Sequence, residues 1–235
     1  MTETILSFGA GVQTTALTIL AVKGQVTVDR VIFADTGAEK PETYWYMETY
    51  TKPLLSKAKI PFCEVRSSMP PLYEYLWEKR NIPVMRKPYC RIRWKAEPIK
   101  LVAGDAHQLI GFSAEEVRRA ENPGHKGKRF PLIEMGLTAS DCIDIILEHG
   151  WPIPLKSSCF ICPFQSGAEW NWLKTRHPEL FDRALALEAR LYERKPGIRQ
   201  SVGLWGGKPL WKFAEGMQES WPLFGYSCWD GYCGR

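Results

Sequence analysis

Apolar positions along the first half of the chain alternate between short unbroken runs and stretches at helical spacing. Thr4 to Phe8 is a β-rich apolar run, Gly9-Ala10-Gly11 is a turn, and Leu17, Leu20 and Ala21 recur at helical spacing between Thr14 and Lys23. The pattern then repeats. Arg30 to Ala34 is strand-like, Asp35-Thr36-Gly37 turns, and Pro41 opens a helix carrying Tyr44, Met47 and Thr51. Phe62 to Val65 and His107 to Phe112 supply two further strands, separated by helical stretches around Leu72 to Trp77 and Trp94 to Ala103. Successive βα units predict a doubly wound α/β domain built on a parallel sheet.

From Thr138 the character changes. Thr138-Ala139-Ser140-Asp141 has the form of a capping box, Cys142, Ile145 and Ile146 make one apolar face, and Gly150 suits the helix end. Pro152, Pro154 and Pro163 bracket a loop containing Cys159 and Cys162, after which Ala168 to Lys174 and Pro178 to Tyr192 read as helices. Beyond Pro196 the chain is rich in Gly, Pro and Trp with weak periodicity, which predicts irregular structure. The expected division is a nucleotide-binding α/β domain over 1–135 and a helical, cysteine-containing appendage over 136–235 packed on it.

Composition narrows the class. The 235 residues are 45% hydrophobic and 24% charged, an ordinary globular balance, and no run approaches the roughly 18 apolar residues of a membrane span. The N-terminal residues lack the features of a secretory signal, so a cytoplasmic protein without membrane partners is expected. In that reducing setting the seven cysteines are read for metal or catalysis before disulfides. A formal charge of +5 favours anionic partners, nucleotides and nucleic acids alike.

Two loops carry the clearest chemistry. Ser7-Phe8-Gly9-Ala10-Gly11-Val12-Gln13-Thr14-Thr15 turns from strand to helix and presents backbone N–H groups to a phosphate, although glycine turns of this kind are also common without a ligand. No Gly-Lys-Ser/Thr follows, so it is not a Walker loop. Asp35 to Thr43 follows the next parallel strand, at the sheet edge where open α/β sheets bind ligands. Cys159-Phe160-Ile161-Cys162 brings two thiols together for zinc or iron–sulfur ligation, or as an inert or redox-active pair. Lys79, Arg80, Arg86, Lys87, Arg91, Arg93 and Lys95 form a run with no acidic residue between them, either a solvated face or a lid over phosphates. Trp170, Trp172, Trp205, Trp211, Trp221 and Trp229 fit packing of irregular chain better than base stacking. Cys63 and Cys142 read as core residues.

The two loops together resemble those of the phosphoadenosine phosphosulfate (PAPS) reductase family, within the PP-loop or adenine nucleotide α-hydrolase-like superfamily. Asp35-Thr36-Gly37-Ala38-Glu39-Lys40-Pro41-Glu42-Thr43 is similar to that family's Asp-Thr-Gly-x-x-x-Pro-Glu-Thr motif. The resemblance extends from about Ile5 to Phe164 through Cys90 with Lys95-Ala96-Glu97-Pro98-Ile99, Gly111 to Glu116 with Arg118 and Arg119, and Cys159-x-x-Cys162-Pro163. It implies nucleotide contacts from Ser7, Phe8, Gly9, Gly11, Gln13, Thr14, Thr15, Asp35, Thr36, Gly37, Glu42, Gly111, Arg118 and Arg119, with anion contacts from Arg91, Arg93 and Lys95. Gln13 stands where many ATP-cleaving relatives carry Asp, and Phe112 stands where the family has Arg after the glycine.

The resemblance further implies a 4Fe–4S cluster, with zinc as runner-up, on Cys90, Cys159 and Cys162; the family's Cys-Cys pair is Tyr89-Cys90 here, so the expected fourth ligand is Cys228 of the tail, or one iron stays open, and the expected nucleophile is Cys233. The reverse assignment of Cys228 and Cys233 stays open. The implied activity is reduction of a sulfonucleotide, PAPS or adenylyl sulfate (APS), with a thioredoxin-like reductant. The rival is ATP-dependent sulfur transfer, with Mg2+, to a nucleobase or another acceptor such as a nucleic acid. A nucleotide-binding module without turnover is the third reading, and a homodimer is left open.

Overall fold

A computed structural model describes residues 2–86 and 89–216. Four parallel strands, β1 (Thr4–Phe8), β2 (Arg30–Asp35), β3 (Phe62–Arg66) and β4 (His107–Ile110), form one sheet in the order β3-β2-β1-β4. Ile5, Leu6, Val31 and Ile32 are fully buried, as expected of central parallel strands covered on both faces. The register places Ser7 opposite Ile32 and Ile110, and Asp35 opposite Arg66. The expected α/β class is therefore observed, and the later part of the chain is helical. Among the described residues no helix is long and apolar enough to cross a membrane.

The helices are α1 (Val12–Val22), α2 (Pro41–Tyr46), α3 (Lys52–Lys57), α4 (Leu72–Glu78), α5 (Glu97–Ala103), α6 (Ala139–Glu148), α7 (Gly167–Arg176), α8 (Pro178–Arg194) and α9 (Leu210–Gly216), with shorter turns between them. Proline sits in the first turn of α2, α3, α5 and α8, where its missing N–H costs no helical bond. A wider turn over Met47–Thr51 joins α2 to α3.

The described chain groups into two compact units. The first comprises 2–35, 40–66 and 95–157, and holds the sheet with α1, α2, α3, α5 and α6. The second comprises 36–39, 67–86, 89–94 and 158–216, and holds α4 and α7 to α9. This differs from the single division expected after residue 135. Helix α6, started by the predicted Thr138 and Asp141 capping box, packs against α1 and buries Cys142 and Ile146 completely. That apolar face commits residues 139–148 to the first unit.

The second unit is organised around Leu72, Leu76, Trp94, Phe160, Trp170, Leu187 and Phe213. Trp172, Trp205 and Trp211 pack against this cluster, so the four described tryptophans of the later chain serve packing. The expectation of wholly irregular chain after Pro196 missed α9. Its apolar signal is a single i, i+3 pair, Leu210 and Phe213, too short to register as periodicity. Buried Glu188 of α8 fixes it by accepting the N–H groups of Leu204 at 2.8 Å, Leu210 at 2.8 Å and Trp211 at 3.2 Å. Burial pushes the Glu188 carboxyl pKa up, and these N–H groups oppose that shift.

Candidate functional site

In the first unit the turn after β1 leads directly into α1. Ala10 lies at φ 57°, a left-handed conformation that costs a non-glycine residue about 1–2 kcal/mol, and strain of this kind collects at ligand-binding turns. Gly11 is the extended N-cap, and no acidic residue occupies the first helical turn. The Thr14 hydroxyl folds back on Gly11, accepting its N–H at 3.3 Å and donating to its carbonyl at 3.2 Å. Helical geometry leaves the next N–H groups directed out of the helix end, an electropositive seat for an anion.

Gly111, just beyond β4, lines the same turn. A Cβ there would stand 2.8 Å from Thr14 Cγ2 and 3.3 Å from the Thr14 nitrogen, so the close approach requires glycine. Strand order reverses between β1 and β4, the switch point where doubly wound sheets bind ligands. Phe112 is buried, and the Arg119 guanidinium lies 4.3 Å above its ring while pairing with Glu116. A guanidinium therefore stands beside the Phe112 ring, already ion-paired with Glu116. Arg118 is exposed on the same short helical segment.

At the end of β2, Asp35 is buried with both oxygens engaged. Tyr44 donates its hydroxyl to Oδ1 at 2.6 Å, Arg66 donates Nε–H to Oδ2 at 3.0 Å, and Arg66 Nη2 forms an ion pair with the same oxygen at 2.7 Å. Neither Arg66 nor Tyr44 was identified as a site residue from the sequence. The available signal was positional: Arg66 ends β3 as Asp35 ends β2.

Of the other predicted nucleotide contacts in this unit, Phe8 and Thr15 have buried side chains, which leaves only their backbone for a ligand. The Phe8 ring is buried in edge-on contact with Phe33 and Phe62, and Thr15 is completely buried, so neither side chain is presented to a ligand. Ser7 accepts a hydrogen bond from Gln108 Nε2 at 2.6 Å, and Gln13 and Glu42 are partly exposed. Lys95 belongs to this unit and is partly exposed. Cys142 is a core residue, its thiol pKa pushed up to about 12 by burial. Cys63 is partly buried against the sheet's apolar cluster.

The second unit carries Cys90, Cys159 and Cys162, the described cysteines of the predicted metal set. Residues 36–39 and the loop at 159–160 pair there, with Phe160 N–H donating to the Ala38 carbonyl at 2.9 Å. This pairing brings Cys159 Sγ to 3.1 Å from Thr36 Oγ1 and 3.6 Å from Glu39 Oε1. Thr36 and Glu39 are both buried, and Thr36 donates to the same Glu39 oxygen at 3.4 Å. Gly37 is at φ 71°, and a Cβ there would meet Pro71 at 2.8 Å. A tight turn closes from Cys162 N–H to the Cys159 carbonyl at 2.9 Å.

Cys90 and Cys159 pack against one apolar cluster, but among the described residues no three His, Cys, Asp or Glu side chains gather as a metal site. A thiol donating to Glu39 must also lose that proton before it binds a metal. The described residues therefore do not complete the four-cysteine set, and no chemical step is assigned to a metal. Arg91 and Arg93 are exposed in this unit. Cys228 and Cys233 lie outside the described residues, as do Lys87, Trp221 and Trp229.

The family model for the phosphoadenosine phosphosulfate reductase domain matches residues 3–129. An uncharacterised protein of Methanocaldococcus jannaschii is 25% identical over 87% of this chain, and the match spans 51% of that protein, so the chain covers about half its length. With more than half of its residues matched, the chain belongs to the phosphoadenosine phosphosulfate reductase family.

Proposed function

We propose that the protein reduces a sulfonucleotide through a cysteine nucleophile. The observation that supports this reading best is the strained, glycine-lined turn before α1, whose first turn carries no carboxylate to repel an anion. The nucleotide phosphate occupies that helix end, with Arg119 on the β4 side. Cys233 thiolate attacks the sulfur of the sulfonucleotide, so an S–S bond forms, the phosphate O–S bond breaks, and the nucleotide leaves with the electron pair. A second thiol, from Cys228 or a thioredoxin-like reductant, then attacks Cys233 sulfur. A disulfide forms and sulfite is released. A free thiol of pKa near 8.5 needs neighbouring positive charge to react at neutral pH, a role this proposal gives to the basic run that includes Arg91 and Arg93.

The second reading is ATP-driven sulfur transfer, in which an acceptor is adenylated, pyrophosphate leaves, and sulfur then displaces AMP. It draws support from the turn that brings Cys159 and Cys162 together. The test is anaerobic incubation of the full chain with equal ATP and PAPS plus thioredoxin, followed by chromatography of the nucleotides. Adenosine 3′,5′-bisphosphate with stoichiometric sulfite is the expected result. AMP with pyrophosphate would replace the first reading with the second, and turnover of neither nucleotide would favour a binding module without catalysis.

A cluster or zinc on Cys90, Cys159, Cys162 and Cys228 belongs to the same proposal. Its check is chemical: iron, sulfide and zinc per chain in anaerobically purified protein, expected near stoichiometric and lost in Cys159→Ser.

A further inference from the structure

We propose that Arg66 is a specificity residue that binds a second anionic group of the bound nucleotide, and that Asp35 is its positioning residue. This rests on nucleotide binding at the α1 turn and adds a contact that the turn does not supply.

Three observations carry it. First, Arg66 and Asp35 are direct neighbours in the register of β3 and β2, both at the C-terminal edge of the sheet. Second, the pair is unequally exposed, with 72% of the Arg66 side chain accessible against 2% of Asp35. Third, Arg66 reaches toward β2 to meet Asp35 with Nε and Nη2, while Tyr44 fills the other Asp35 oxygen. The guanidinium is thereby drawn from the sheet border toward β1, whose following turn opens α1. Neighbouring strands lie about 4.8 Å apart, so the distance to be spanned along the edge is that between two substituents of one nucleotide.

A guanidinium has five N–H donors. Nε–H is spent on Asp35 and Nη2 is held beside the same oxygen as an ion pair, which leaves Nη1 and the outer edge for an oxyanion in a charge-assisted contact. The Arg66 and Asp35 pair is neutral overall. Its attraction for an anion is therefore a short-range contact through N–H groups, with little long-range steering and a shallow dependence on salt. The ligand class is an adenine nucleotide with two phosphoryl or sulfuryl groups, carried either in line or on separate ribose oxygens.

The test is equilibrium binding of AMP, ADP and adenosine 3′,5′-bisphosphate to the full chain at two salt concentrations. Wild-type protein is expected to prefer at least one of the doubly phosphorylated nucleotides over AMP by on the order of tenfold, the effect of one charge-assisted contact. ADP or the bisphosphate winning identifies whether the second group is in line or on the ribose. In Arg66→Ala the preference is expected to collapse toward unity. Because that variant leaves Asp35 uncompensated, Arg66→Lys is the second variant: it keeps the charge beside Asp35 but has no fork to share, and the preference is expected to fall several-fold. An unchanged preference in folded Arg66→Lys and Arg66→Ala overturns the inference. Equal wild-type affinity for all three nucleotides overturns it while leaving nucleotide binding intact, whereas binding of none overturns both.

Discussion

The two units differ in how they carry charge. Among the described residues the first has fifteen Lys and Arg against fifteen Asp and Glu, whereas the second has fourteen against nine. The formal excess of five positive charges thus resides entirely in the helical, thiol-bearing unit. A unit without net charge exerts little long-range pull on anions, so the recognition proposed above depends on contact: an open helix end, Arg119 and the edge of Arg66. The second unit has the field to attract a larger anionic partner.

The largest effects should come from glycines that separate recognition from folding. In the second unit a Cβ on Gly203 would fall 2.2 Å from Glu188 Oε2, 2.4 Å from Pro209 Cα and 2.6 Å from the Lys208 carbonyl. Gly203→Ala is expected to cost about 3 kcal/mol or more of stability, read as a loss of thermal midpoint. Gly111→Ala, in the first unit, crowds only Thr14 and the α1 entrance. It should weaken nucleotide binding at least about tenfold, with a smaller loss of stability on the order of 1–3 kcal/mol. Equal stability losses with undiminished nucleotide affinity would erase the distinction.

Glu188→Gln comes next. Replacing one acceptor oxygen by an NH2 group leaves backbone donors short of partners, for a cost of about 1–3 kcal/mol in denaturant unfolding. An unaltered midpoint would show that the anchored segment from Leu204 to Trp211 does not depend on the carboxylate.

The smallest effect is a contrast in pH response. Glu188 has a raised pKa through burial, so its contribution is fully present below the ordinary carboxylate range and is lost as pH rises through the raised value. Glu115 of the first unit behaves oppositely. Burial pushes its pKa up, but hydrogen bonds that include the Ala139 N–H at the start of α6 outweigh this and hold it below the usual value. Its contribution is present above the ordinary range and is lost as pH falls through the lowered value. The two responses fall on opposite sides of the ordinary carboxylate range: Glu188→Gln should remove a loss of thermal midpoint on raising pH above that range, and Glu115→Gln a loss on lowering pH below it. Both variants acting on the same side of the range would contradict the assigned signs.

The sheet was legible because βα repetition depends on local pattern: all four strands and the caps of α1 and α6 follow from runs, glycines and a Thr-x-x-Asp box. Helix α9 was not, because its stability comes from Glu188, far away in sequence. The glycine-lined turn before α1 was readable from Gly9, Gly11 and Gly111, whereas the Arg66 contact to Asp35 depends on strand register. The link from Cys159 to Glu39 was hidden for the same reason, since 120 residues separate them and only the folded loop pairing joins them. A motif names positions without saying which side chains turn inward, as the buried side chains of Phe8 and Thr15 illustrate.

The alternation of the chain between its two units also bears on how the protein is made. It changes unit after residues 35, 39, 66, 94 and 157. A ribosome delivers the N-terminal part first, yet Leu72, Leu76 and Trp94 share a cluster with Phe160, Trp170 and Leu187. Until those later residues emerge, the earlier apolar side chains lack most of the surface that covers them in the finished protein. Synthesis therefore passes through a stage in which the sheet's strands are complete while an apolar segment still awaits its partners. Truncation before residue 158 would fix the molecule at that stage, and exchange of one unit with a relative would require five splice points.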